Sequence, residues 1–192
     1  MITNAVSYVH SMLRMYVTSG DVVVDATLGN GHDATLLASL VGPTGLVYGF
    51  DIQSRSIEAA GKALGFMEAS TRLIHDGHQH MERHVLPDHI GNVAAVVFNL
   101  GYLPGGDKSI TTKAESTVQA VEQSLQILRN GSPLIIVCYR HPEGNREFDV
   151  LQQFCSDLPQ TRYTVMRTEF VNQRGNPPVV FVVIPALTGD PR

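Results

Sequence analysis

The 192-residue chain predicts an α/β fold: a mostly parallel sheet of seven strands, helices on both faces, and an antiparallel strand at the C-terminal end. Three observations carry this. Apolar runs of strand length, at 22–24, 46–50, 92–98 and 134–139, alternate with stretches at helical spacing, the pattern of parallel strands buried on both faces. Val22-Val-Val-Asp25 runs directly into a turn carrying Gly29 and Gly31 and then into a helical stretch. Only a short turn, Asn172 to Pro178, separates the last two strands, so those two must run antiparallel.

Composition narrows the class. A hydrophobic content of 43% and a charged content of 17% are those of a folded globular chain, and the length allows one sizeable core, hence one domain over 1–192. A net charge of −4 and a pI of about 6.0 argue against a surface that coats nucleic acid, while leaving room for a local basic patch. Cys138 and Cys155 lack CxxC spacing and read as reduced thiols. No charged-then-apolar leader opens the chain and no apolar run approaches about eighteen residues. The expectation is a cytoplasmic protein with no membrane contact.

From the N-terminus, Ile2, Ala5, Val6, Val9, Met12, Leu13, Tyr16 and Val17 recur at helical spacing, with Thr3 or Asn4 placed to cap. A helix is expected over about 3–18; its polar side is not basic, which assigns it to covering the sheet rather than to a membrane surface. After the strand at 22–24, Gly29 and Gly31 allow close backbone approach to a ligand, and the next helix (Ala34, Leu36, Leu37, Leu40) begins with unpaired N–H groups. Gly29-x-Gly31-x-x-Ala34, with Asp51 about twenty residues on, fits the loose dinucleotide fingerprint. Asp25 changes that reading. Asp-x-x-x-Gly-x-Gly is the first motif of S-adenosylmethionine (SAM) methyltransferases, and a carboxylate at that strand end attracts a cationic amino-acid tail but repels a pyrophosphate. SAM is the expected cofactor and a nicotinamide dinucleotide the alternative.

Val41-Gly-Pro-Thr-Gly45 turns into a second strand, Leu46 to Asp51. Asp51 at its carboxyl end is placed to accept both ribose hydroxyls, with Gln53 in reach of the same sugar or the adenine. Ile57, Ala60, Ala63 and Leu64 outline a helix, and a short third strand, Arg72 to His75, delivers Asp76-Gly77-His78. Asp76 is read as the partner of the adenine amino group and His78 as a neighbouring contact. His80 and His84, four apart on one helix face, invite a metal, yet no cysteine or carboxylate at a recognised spacing completes a ligand set, and no metal is assigned.

Asn92 to Phe98 is a fourth strand, apolar from Val93 on and therefore central. It leads into Asn99-Leu-Gly-Tyr-Leu-Pro-Gly-Gly-Asp-Lys108, on the edge where ligands of open α/β sheets sit. The substrate belongs here. Asn99 accepts from an amine or amide N–H, Tyr102 offers a ring for stacking a planar base, and Leu100, Gly101 and Lys108 line the same segment. A helix over 115–128 ends at Asn130-Gly131, and a fifth strand runs from Leu134 to Tyr139. Tyr139, Arg140 and His141 close that strand on the ligand edge; His141 is read either as a proton acceptor or as a structural turn histidine. A helix over 147–158 and a strand over 162–170 precede the Asn172–Pro178 turn and the last strand, Val179 to Ile184. If the sixth strand is parallel to the first five, that turn also reaches the ligand edge, making Arg174, Asn172 and Asn176 second-rank substrate candidates. The tail from Pro185 is expected to be loose.

Asp25-Ala-Thr-Leu-Gly-Asn-Gly-His-Asp33, Phe50-Asp-Ile-Gln53, His75-Asp-x-His78, the Asn99–Lys108 string and Asn176-Pro-Pro178 resemble the Rossmann-like class I SAM-dependent methyltransferases. More closely, they resemble the family labelled rRNA methylases, whose characterised members are tRNA 5-(aminomethyl)uridine methyltransferases of the MnmM type. The resemblance spans almost the entire chain. Gly-Asn-Gly-His-Asp and Asn-Leu-Gly-Tyr-Leu-Pro are its specific strings; the single aspartates are not specific. It implies methyl transfer from SAM to the exocyclic amine of wobble 5-aminomethyl-uridine, with or without 2-thiolation, giving the 5-methylaminomethyl form. It also implies that Asn30, His32 and Asp33 line the cofactor together with Asp51, Gln53, Asp76 and His78. From the residues themselves, Gly77 is a further cofactor contact and Asn99, Tyr102 and His141 are the candidate catalytic residues. One departure is that the family's Tyr-x-Gly-His after the fifth strand reads Tyr139-Arg-His141 here, which leaves the placement of His141 open.

A neutral amine is already nucleophilic, so in-line alignment is the main requirement and no catalytic cysteine is needed. The acidic chain is expected to grip the tRNA anticodon arm through Arg140, Arg146, Arg174 and Lys108, with a homodimer as a further source of surface. Two other readings share the cofactor features: a small-molecule N- or O-methyltransferase, which fits the acidity better, and a SAM-binding RNA-interaction protein without turnover.

Overall fold

The structure is a computed structural model that describes residues 1–102, 105, 111–139 and 142–187. Capping starts the first helix, α1 (Ala5–Tyr16). The Asn4 side chain accepts from the Ser7 N–H at 2.8 Å while Ser7 Oγ accepts from the Asn4 N–H at 3.0 Å, a reciprocal box that satisfies two otherwise orphaned donors. Seven strands follow: β1 (Val22–Asp25), β2 (Leu46–Asp51), β3 (Ser70–His75), β4 (Val93–Leu100), β5 (Leu134–Cys138), β6 (Tyr163–Thr168) and β7 (Val179–Pro185). They form one sheet in the order β3-β2-β1-β4-β5-β7-β6. Strand β7 is antiparallel to both neighbours and the other adjacent pairs are parallel. β6 thus points the same way as β5, and the β6–β7 turn lies on the edge where β1, β4 and β5 end.

Side-chain alternation along the strands builds two cores, one on each face. Val23, Val47, Val97, Ile135, Val137 and Val182 pack against α1, α2 (His32–Val41) and α3 (Ser54–Leu64). Val24, Tyr48, Phe50, Phe98, Ile136 and Phe181 pack against α4 (Ala114–Ile127), α5 (Pro142–Asp157) and a 3₁₀ segment at His78–Arg83. The central position expected for β4 is the one found: all six residues from Val93 to Phe98 are buried. Cys138 and Cys155 are buried free thiols. No helix among the described residues is long and apolar enough to cross a membrane.

Two of the boundaries that differ from expectation shape the ligand edge. β4 continues two residues past Phe98, so Asn99 and Leu100 belong to the sheet, paired with Val137 and Cys138, rather than to the loop. Helix α5 begins at Pro142, five residues before the expected start at Glu147. Proline has its φ preset for a first helical turn and lacks the N–H that such a turn leaves unpaired, so Pro142 opens the helix where the sequence pattern suggested a loop.

Candidate active site

Strands β1 and β4 are neighbours whose following connections leave in opposite directions, to β2 on one side and β5 on the other, which opens a crevice at their carboxyl ends. Asp25 ends β1 inside that crevice, 1% exposed. Its Oδ1 accepts the Thr27 N–H at 3.1 Å, the Ala34 N–H of α2 also faces the carboxyl, and Oδ2 makes no hydrogen bond of full geometry among the described residues. Burial, and after it the nearby Asp33 charge, holds the Asp25 carboxyl well above the usual carboxylate range. An unpartnered buried carboxyl oxygen is costly, and a cation brought to it supplies what is missing. This acceptor fits the ammonium of the amino-acid end of SAM.

The glycine turn is stitched to β2. The Gly29 N–H donates to Asp51 Oδ2 at 2.9 Å, the Gln53 N–H to Asp51 Oδ1 at 2.8 Å, and the Leu28 N–H to the Phe50 carbonyl at 2.9 Å. Each Asp51 oxygen keeps a lone pair for a sugar hydroxyl. Asn30 and His32 are exposed along the turn; past β2, Gln53 is half-buried and Ile52 is 56% exposed, offering an apolar face for a purine. Gly31 has φ +80°, and a Cβ there would stand 3.0 Å from Ala60 Cα and Cβ. This glycine therefore serves the contact of the turn with α3, where the sequence reading assigned it to ligand approach. Gly31→Ala is expected to destabilise the protein by about 1–2 kcal/mol through the left-handed backbone alone, measured as a shift in urea midpoint.

Asp76, expected at the adenine, is held on both oxygens. His80 Nδ1 and the Gly77 N–H meet Oδ1 at 2.8 Å each, and His84 Nε2 meets Oδ2 at 2.9 Å. The hydrogen bonds from His80 and His84 hold this carboxyl well below the usual range, so it stays ionised. The two histidines lie on and just beyond a 3₁₀ segment, not on one face of an α-helix, and converge on Asp76; among the described residues no three His, Cys, Asp or Glu gather as a metal site. What Asp76 retains for a ligand is its second set of lone pairs.

His78 is buried against the edge of Phe98, with Nδ1 3.2 Å from the Ala26 carbonyl, to which it donates. Burial pushes its pKa down to about 4. The unfolded chain therefore binds a proton below about pH 6.5 that the folded chain refuses, and the unfolding free energy falls by about 1–2 kcal/mol between about pH 7 and pH 5. His78→Gln, which keeps a donor for Ala26, is expected to flatten this part of the slope in urea melts; a slope equal to that of the parent would contradict the assignment.

On the β4 side, the Asn99 N–H donates to Thr27 Oγ1 at 2.6 Å and its side-chain Nδ2–H donates to Asp33 Oδ2, leaving Oδ1 as an acceptor. Asp33, in the first turn of α2 and buried, also accepts from His10 Nε2 at 2.7 Å on Oδ1. Tyr139 follows β5 and is 40% exposed; burial and the Asp33 charge push its phenol up, so it stays protonated. Beyond Asn99 the chain is closed at a neck. Gly101 and Thr112 exchange hydrogen bonds (Gly101 N–H to Thr112 Oγ1 at 3.0 Å, Thr112 N–H to the Gly101 carbonyl at 3.1 Å), and Tyr102 bridges Thr111. Glu147 of α5, 4% exposed, clasps the neck by accepting from Thr112 Oγ1 at 2.7 Å and Thr117 Oγ1 at 2.5 Å.

The structure thus brings Asp25, Asp33, Asn99 and Tyr139 to one crevice, flanked by Asp51 and His78. Leu100, expected at the substrate, turns its side chain into the core at 2% exposure. Tyr102 is 39% exposed beside the crevice. Arg174 is exposed in the β6–β7 turn, which the Gln173 side chain ties to the start of α1 through the Thr3 carbonyl at 2.8 Å. Arg146 lies on α5 and pairs with Glu115 on an exposed surface. Lys108, Arg140 and His141 lie outside the described residues. Sequence reasoning missed His10, Thr27, Ile52 and Glu147. His10 carried a weak signal, a polar residue on the flank of the Ala5, Val9, Leu13 stripe.

Residues 47–184 match the family model described as "Putative rRNA methylase". The chain is 34% identical, over 93% of its length and 68% of the relative's, to the chloroplastic tRNA (mnm(5)s(2)U34)-methyltransferase of Arabidopsis thaliana. Among solved structures it is similar to a protein of the same description from Clostridium thermocellum, with 39% identity, a TM-score of 0.91, and coverage of 96% of this chain and 99% of that one. It is also similar to a "putative methyltransferase from Streptococcus mutans in complex with SAH", with 30% identity, a TM-score of 0.86 and the same coverage.

Proposed function

From the premise that this chain belongs to the rRNA methylase family of SAM-dependent methyltransferases, we propose that it methylates the exocyclic amine of 5-aminomethyl-uridine, or its 2-thio form, at the tRNA wobble position. The product is the 5-methylaminomethyl form. The name of the Arabidopsis relative supports a tRNA wobble uridine. The observation that carries the amine as nucleophile is Asn99: with its amide N–H engaged by Asp33, the end it presents is a carbonyl oxygen, an acceptor for a nitrogen that bears hydrogen.

When bound, SAM supplies a methyl group made electrophilic by its sulfonium. Asp25 Oδ2 receives the ammonium of the amino-acid tail, and the carboxyl ionises as that cation arrives. Asp51 accepts the ribose hydroxyls while its grip on Gly29 keeps the turn closed; Gln53, Ile52, Asp76 and His78 surround the base. Asn30, Gly31, His32 and Asp33 form the wall beside the tail. Asn99 Oδ1 takes one N–H of the neutral amine and so directs the nitrogen lone pair along the line of transfer, the positioning on which the rate depends. Tyr102 and Tyr139 flank the uracil. Arg174 meets backbone phosphates, with Lys108 and Arg140 as further cations and His141 as the acceptor of the proton released after transfer. The setting is cytoplasmic, in keeping with two buried free thiols, and a second copy of the chain extends the RNA surface.

The test is mass spectrometry of wobble nucleosides after purified protein and methyl-labelled SAM act on tRNA that carries the unmethylated aminomethyl group. Label in 5-methylaminomethyl-uridine is expected. Label absent from every tRNA nucleoside, with turnover of a small amine instead, would overturn the reading.

A further inference from the structure

Helix α1 fits the sheet through Ala5, Val9 and Leu13, yet it also sends one polar side chain to the crevice. His10 Nε2 lies 2.7 Å from Asp33 Oδ1, and the side chains are 30% and 11% exposed, so the contact is shielded on the Asp33 side and open to water on the His10 side. The other Asp33 oxygen receives the Asn99 amide. Each carboxylate oxygen therefore has one assigned neighbour, contributed by a different element: α1 for Oδ1 and β4 for Oδ2.

We infer that His10 is a positioning residue for methyl transfer: it fixes the Asp33 carboxylate, which fixes the Asn99 amide with its carbonyl oxygen toward the incoming amine. This rests on the reading of Asn99 as the acceptor for the amine. The two ends of a primary amide are nearly the same size, so its hydrogen-bond partners decide which end faces the ligand. An ionised carboxylate is acceptor-only and draws the NH₂ end to itself. A carboxylate held on one oxygen alone turns about its last bond, and the amide follows. His10 closes that freedom. It has a second effect of the same sign: with His10 in place both Asp33 oxygens are engaged, whereas a released oxygen would pair with the ammonium form of the substrate and favour the protonated, unreactive amine.

The experiment compares His10→Ala and His10→Gln with the parent in single-turnover methylation of aminomethyl-bearing tRNA. Alongside it, SAM affinity is measured by calorimetry, melting temperature by calorimetric scan, and the Asn99 side-chain amide by ¹⁵N resonances assigned through their loss in Asn99→Ala. For His10→Ala the expected result is a transfer rate lower by about ten- to fiftyfold, with KM for tRNA and the SAM dissociation constant changed less than about threefold, and a displaced Asn99 amide resonance. Glutamine, whose amide N–H stands in for Nε2–H, is expected to restore the rate to within about threefold and the resonance to its place. An unchanged rate in His10→Ala, a loss confined to KM or melting temperature, or a glutamine variant as slow as the alanine variant would each overturn the inference. If the parent itself leaves this tRNA unmethylated, the proposed function fails on its own, and the Asn99 resonance in the two variants still decides whether His10 sets the amide.

Discussion

Asn99→Ala is expected to lower the single-turnover rate of tRNA methylation by about 10²- to 10³-fold, the loss typical of removing one preorganised polar group at a reacting centre. The substitution is clean. The Asn99 N–H still donates to Thr27, the β4–β5 pairing at Val137 is a backbone matter, and Asp33 keeps His10. SAM affinity is therefore expected to stay within about threefold, and the melting temperature within a few degrees. A rate reduced less than about tenfold would remove Asn99 from the reacting centre and leave the amine without an assigned acceptor.

Asp51→Ala is expected to weaken SAM binding by more than about tenfold in calorimetry, since charge-assisted hydrogen bonds to a partly buried carboxylate are worth about 1.5–3 kcal/mol each. The structure adds a second source of loss. Asp51 also holds the Gly29 N–H and the Gln53 N–H, so alanine both removes the proposed ribose acceptor and unties the glycine turn from β2. Asp51→Asn keeps one carbonyl oxygen and is expected to fall between the two. Affinity equal to that of the parent in Asp51→Ala would take Asp51 out of the site.

Much of this arrangement could be read from the chain because its signals are local. Val22 to Val24 and the two glycines mark the strand, the turn and the start of the helix in one continuous stretch, and the unbroken apolar run of β4 marks the middle of the sheet. The short Asn172–Pro178 turn fixed the antiparallel pair. What stayed hidden depends on packing between distant segments. His10 reaches Asp33 across 23 residues and Glu147 reaches Thr112 across 35, and no periodicity encodes such a meeting. Gly31 is legible as a turn glycine, but its close neighbour is Ala60, which only the fold brings near. Asp76 is the reverse case. Its partners stand four and eight positions along the chain, so the spacing is visible in the sequence, where it suggests a metal pair; in the fold the histidines are a clamp on an acid.

The neck at Gly101 and Thr112 closes the chain between β4 and α4, and Glu147 fastens it from one buried position by accepting from two threonine hydroxyls. An apolar residue in place of Glu147 would strip both hydroxyls of that acceptor and release the end of β4 from α5. The last turn of chain beside the crevice is thus moored by a helix that the sequence does not reach until thirty-five residues later.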